Sequence, residues 1–165
     1  MKRAFIVVRA LLYLTVVLIL WRWLALWVRR YDGTLGVTLA DWTEAPGIIV
    51  AFLGSVLFIV CNGLFAFLGE GTLVLFDSPR KFVAVGPYRF VRNPMYLSVL
   101  TMLVGFGLYY HSVSILLLAA AAFLLFHFVV VVIEEPGLKA RFGESYLEYK
   151  KSVNRWVPKG TRDKG

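Results

Sequence analysis

The chain has 165 residues, of which 59% are hydrophobic and 17% charged, and its mean hydropathy of +0.74 is far above what a water-soluble domain tolerates. Eighteen Lys and Arg against ten Asp and Glu give a formal charge of +8, which beside such long apolar runs points to lipid rather than to nucleic acid. A lone Cys61 excludes an internal disulfide framework, and no Cys/His cluster has zinc-ligand spacing, so no metal site is expected.

With no polar half set apart from the apolar runs, residues 1–165 read as a single membrane-embedded domain. The first run, Ala4–Val28, follows Lys2 and Arg3 but has no small-residue cleavage site, so it reads as a retained helix rather than a signal peptide. Arg9 and Arg22 lie near its opposite ends, where they can snorkel to headgroups. Ala45–Leu68 is the second run, with Asn62 as an expected interhelical hydrogen bond. Both exceed the roughly 20 residues needed to cross a ~30 Å hydrocarbon core. Met95–Tyr110 is shorter, but Pro94 suits a first helical turn and a start near Arg92 would nearly span. Tyr109 to Ser112 then form a tight connection to Val113–Ile133, making the last two spans a hairpin. Beyond them Leu138, Phe142, Tyr146, Tyr149, Val153 and Trp156 recur at three- and four-residue steps between charged positions, the pattern of an amphipathic helix. The expected fold is an all-α integral membrane protein with four transmembrane helices and a C-terminal amphipathic helix.

Orientation follows from the Lys and Arg of the connections. Lys2 and Arg3, then Arg80, Lys81, Arg89 and Arg92, then eight basic residues after Ile133 lie on one side, against Arg29 and Arg30 on the other. Both termini and the 70–93 loop are therefore expected in the cytoplasm, as for a protein of a bacterial or archaeal inner membrane.

Two polar clusters at that face could carry chemistry. In the stretch from Arg80 to Tyr96, Gly86 permits close backbone approach, Pro87 and Pro94 fix turns, and Arg92 with Asn93 offers donors to a carboxylate or phosphate beside a helix start. The second cluster is Glu134-Glu135-Pro136-Gly137. Pro136 should end the fourth span at Glu135, leaving two carboxylates where the helix dipole disfavours them, so they need cationic company. His127 is seven residues before Glu134, on nearly the same α-helical face and about 10 Å deeper.

Gly86-Pro87-Tyr88, Arg92-Asn93-Pro94-Met95-Tyr96, Glu134-Glu135 and Phe142-Gly143-Glu144-Ser145-Tyr146-Leu147-Glu148-Tyr149-Lys150-Lys151 resemble the membrane methyltransferases of the isoprenylcysteine carboxyl methyltransferase and phospholipid N-methyltransferase group, over residues 76–158. The resemblance implies an S-adenosylmethionine site between the last two spans, capped by the C-terminal helix, with S-adenosylhomocysteine as product. By position it implies cofactor contacts from Arg80, Lys81, Phe82, Val83, Tyr88, Asn93, Pro94, Met95, Tyr96 and Glu134. Read from the residues themselves, His127, Arg92 and Glu135 are the candidate catalytic residues. The isoprenylcysteine enzymes have His at Asn93 and a substrate-contacting Arg at Val130. Loss of that cation favours a lipid amine headgroup or small lipophilic nucleophile over a prenylcysteine carboxylate, with His127 as candidate base.

The expected activity is methyl transfer to a membrane lipid or other lipophilic acceptor, with no nucleic-acid partner. Two rivals are an NADPH-dependent reductase of the sterol-reductase kind, similar around Asn93-Pro94-Met95-Tyr96 but with Leu97-Ser98 where those proteins have Gly-Glu, and a non-catalytic accessory on the same scaffold.

Overall fold

The computed structural model describes residues 2–68 and 84–159, with backbone alone at 2–7, 9–11 and 65–68. The expected contacts of Arg80, Lys81, Phe82 and Val83 thus lie outside the described residues. The described chain is helical: α1 Lys2–Arg29, a single turn α2 Asp32–Leu35, α3 Glu44–Leu68, α4 Pro94–Tyr109, α5 Val113–Val129 and α6 Glu135–Ser152. A π-helical turn, Val130–Glu134, joins α5 to α6. Backbone pairing between strands is limited, among the described residues, to isolated bridges. Three helical stretches are long and apolar enough to cross a membrane, within Leu12–Leu35, Asp41–Leu64 and Val113–Ser152. The 16-residue α4 is apolar but only about 24 Å long.

The core lies where α3, α4 and α5 meet, around Phe58, Cys61, Met102, Leu103 and Ile115, all essentially inaccessible. Helices in lipid gain little from burying apolar groups against each other, so close backbone approach must supply the attraction. Small residues on two faces permit it. Gly47, Ala51 and Gly54 of α3 lie against Tyr109, Gly105 and Met102 of α4, and a Cβ on Gly54 would stand 2.7 Å from the Met102 backbone nitrogen and 2.9 Å from the Ser98 carbonyl. α1 packs more loosely, through Ala25 and through Trp21, whose ring meets Phe126 edge-on at 5.7 Å.

The polar connections gather at two ends of this bundle. At one, the Ser114 N–H donates to Asp32 across 2.9 Å, Thr38 pairs with Ser112, and the Arg29 guanidinium lies 4.8 Å over the Tyr110 ring. Ser112 caps α5 by accepting from the Ile115 N–H, and its own N–H closes the α4–α5 hairpin on the Gly107 carbonyl at 2.8 Å. At the other end, the segment from Ala84 to Asn93 meets α6 and the residues after it.

Three expectations change. The helix does not end at Glu135: that residue keeps helical angles, φ −62° and ψ −42°, and its N–H donates to the Val130 carbonyl five residues back. The wide turn removes the register in which the Pro136 ring would strike the preceding turn, so the proline sits at the start of α6, where no N–H is required. The amphipathic helix expected through Trp156 is broken at Gly143, with φ +54° and ψ −128°, and ends at Ser152. Its Leu138, Phe142, Tyr146 and Tyr149 still occupy the less exposed side. Asn62 donates to the Phe58 carbonyl of its own helix at 2.9 Å rather than across helices.

The seam between α3 and α4 is directly testable. Gly54→Val should cost about 1–3 kcal/mol through overpacking, read as a lower unfolding midpoint in detergent. Gly63→Ala, where an added Cβ meets nothing within 4 Å, should unfold with the parent. Equal midpoints for all three would disprove the close seam.

Candidate functional site

Glu135, at the start of α6, is buried and gathers three cations. Its Oε1 lies 2.7 Å from Arg155 Nε and 3.1 Å from Arg92 Nη2, and its Oε2 accepts from Lys150 Nζ at 2.8 Å. A straight helix would hold residues 135 and 150 about 22 Å apart. Contact is possible because the left-handed backbone at Gly143, which a side chain would oppose, turns the second half of α6 back on the first. The Glu135 bond holds the Arg155 guanidinium above its already high ordinary range.

The cations bring their backbones with them. The Arg92 N–H donates to the Asn154 carbonyl at 2.8 Å, the Asn93 amide to the Arg155 carbonyl at 3.2 Å, and the Tyr149 hydroxyl to the Tyr88 carbonyl at 2.6 Å. The segment before α4 is therefore bound to α6 and to the tail by main-chain and side-chain bonds together. Gly86, at φ +56°, lets a tight turn place Tyr88 in the interior beside Cys61. Burial first, then the Cys61 neighbour, pushes the Tyr88 phenol well above its usual range, so it remains a neutral hydroxyl. Arg92 Nε is buried with no acceptor among the described residues.

Glu134 is treated differently. It turns inward, half-buried, and accepts from the Tyr96 hydroxyl of α4. Tyr13 of α1 and Tyr88 both lie within electrostatic reach of it. The Tyr96 ring lies 4.7 Å from that of Phe126, tilted by 42°, and Phe126 in turn meets Trp21. Among the described residues no Lys, Arg or His pairs with this carboxylate, while the next residue has three cations.

His127 does not share that face. The π-helical turn adds in effect one residue to the helix, so the residue stacked with the Glu134 side is Phe126, and His127 is turned outward. It is exposed, 6.1 Å from the Phe123 ring, and accepts at Nδ1 from the Trp156 indole N–H at 3.1 Å.

Of the expected site residues, the structure brings Tyr88, Arg92, Asn93, Tyr96, Glu134 and Glu135 to one end of the bundle, with Pro94 and Met95 buried in the first turn of α4. Val130 is 1% exposed, in the packed interior at the start of the π-helical turn. Tyr13, Lys150, Arg155 and Trp156 were not expected as site residues. Lys150 and Arg155 had one signal, the need of adjacent carboxylates for cations together with a glycine inside a helical pattern; Tyr13 had none.

The Glu135 cluster should be a major contributor to stability. Glu135→Gln leaves Arg92 buried beside a neutral amide and should cost about 3–5 kcal/mol, with faster protease cleavage after Ser152. Lys150→Ala, which removes a half-exposed partner, should cost less than about 1 kcal/mol. Equal losses for the two would contradict this ranking.

Comparison with known proteins supplies a name for this arrangement. No curated protein matches the chain significantly. Residues 45–145, from the start of α3 through the Glu134–Glu135 pair and into α6, match the phospholipid methyltransferase family, and the chain belongs to that family.

Proposed function

We propose that the chain is an integral membrane methyltransferase that uses S-adenosylmethionine to methylate a lipophilic acceptor, and that Glu134 faces positive charge supplied by its ligands. The observation that carries this reading is the contrast between adjacent carboxylates. A half-buried carboxylate walled by tyrosines and without a cation among the described residues is costly in an apolar setting, and a cationic ligand removes that cost. Carboxylate plus aromatic faces is also the chemistry that recognises sulfonium and ammonium groups. Bound there, the cofactor would supply an activated methyl group on a positively charged sulfur.

The donor set fits such a molecule. Arg92 Nε offers an open buried donor toward a carboxylate, Tyr88 and Asn93 offer neutral polar groups, and Tyr96, Met95 and Phe126 offer apolar walls for an adenine. Arg92 and Glu135 serve by position, since their pairing holds the segment before α4 and the tail together. A displacement at a methyl group needs alignment and exclusion of water more than covalent help, and a rigid half-apolar site gives both. A Glu134 without a cation among the described residues and the packed, uncharged Val130 favour an amine-bearing lipid headgroup over an anionic acceptor. Family membership supports methyl transfer over the reductase reading.

Glu134→Gln should weaken S-adenosylmethionine binding about tenfold or more, the loss of a charge-assisted contact worth about 1.5–3 kcal/mol. The neutral S-adenosylhomocysteine should lose clearly less. Calorimetry in detergent measures both, and equal losses would remove the sulfonium from Glu134.

We also propose four spans, α1, α3, α4 and α5, with both termini and the site in the cytoplasm. Cysteine introduced at Lys159 should then be labelled only from inside and at His111 only from outside, against a buried native Cys61. The reverse pattern would overturn the orientation.

A further inference from the structure

The indole N–H of Trp156 can only donate, so the ring nitrogen that receives it, Nδ1 of His127, is unprotonated. In a neutral imidazole the proton then belongs to Nε2. The tail makes this arrangement firm. Arg155, next to Trp156, is held by Glu135, Asn154 by the Arg92 N–H, and Val153 is buried, while the Trp156 ring packs 5.4 Å from Phe123. His127 makes no further hydrogen bond among the described residues, and it projects from the outer side of α5 beside the exposed Leu124 and Phe128. On a lipid-facing helix an imidazole N–H without an acceptor is costly, and an oxygen arriving from the lipid removes that cost.

We infer that Trp156 fixes His127 as the Nε2–H tautomer, so that His127 acts as a hydrogen-bond donor that seats an oxygen of the lipid acceptor rather than as a base. Trp156 is a positioning residue acting through His127. This rests on the methyltransferase reading above and replaces the role that spacing suggested for His127. Its consequence for specificity is that the acceptor must carry an oxygen near the reacting group and must lose its proton elsewhere than to His127: a glycerophospholipid ammonium gives its proton to water at the headgroup layer, and the freed amine nitrogen then forms the N–CH3 bond as the S–CH3 bond breaks and S-adenosylhomocysteine leaves.

The full chain has two histidines, so its ring nitrogens can be resolved by nitrogen-15 NMR in lipid nanodiscs, with His111→Gln for assignment. The expected pattern at neutral pH is a bare Nδ1 and a protonated Nε2 at His127. Trp156→Phe should yield mixed tautomers, and short-chain phosphatidylethanolamine should move the Nε2–H resonance. With that lipid and labelled S-adenosylmethionine, His127→Ala should raise KM about tenfold and change kcat less than about threefold. His127→Gln, whose amide nitrogen can donate from a similar place, should restore KM. A proton on Nδ1 in the parent would overturn the proposal. So would a 10²-fold or greater fall in kcat at unchanged KM, the signature of a lost base. If the parent fails to bind S-adenosylhomocysteine, the functional reading falls instead, and the tautomer alone still decides the lock.

Discussion

The arrangement at the site end depends on the three-cation grip on Glu135. One buried carboxylate draws Arg92 from before α4, Lys150 from the far half of α6 and Arg155 from the tail, so the segment before α4 converges with both ends of α6 and the residues after it. Desolvating so many charges is expensive, and the arrangement is tolerable because each Glu135 oxygen is satisfied and Lys150 keeps about half its surface in solvent. Backbone bonds from Arg92 and side-chain bonds from Asn93 and Tyr149 then follow at little additional ordering cost.

Against that satisfied carboxylate, Glu134 has no cation among the described residues. Adjacent positions on a helix point about 100° apart, which lets one residue serve structure and the next face the interior. The π-helical turn completes the separation. It carries Pro136 without a steric clash, and its extra residue turns Phe126 toward Tyr96 and Glu134 while sending His127 outward to Trp156. π-helical turns often stand at functional sites because they re-aim side chains within an otherwise regular helix.

The long helices were legible in the sequence because hydropathy reports directly on the surrounding solvent. Ala45–Leu68 and Met95–Tyr110 differ from α3 and α4 by one residue at each differing end, and the Tyr109–Ser112 turn lies where expected. Irregular backbone was harder to read. Pro136 reads as a helix stop, a sound expectation for an α-helix that fails once a wider turn absorbs the ring. Gly143 carries no stop signal of its own, because one glycine in a helical pattern costs only about 1 kcal/mol and does not announce a reversal. These two points also account for what the spacing did not show: the turn takes His127 off the Glu134 face, and the reversal brings Lys150 to Glu135. The motif residues from Tyr88 to Tyr96 fell together as expected, since they lie on one short segment at a helix start.

The central claim is that this end of the bundle receives S-adenosylmethionine, and cofactor selection by the parent chain tests it most directly. Titration calorimetry of the full chain in lipid nanodiscs should give saturable heat with S-adenosylhomocysteine and none with NADPH. Saturable binding of NADPH, with none of S-adenosylhomocysteine, would contradict the account.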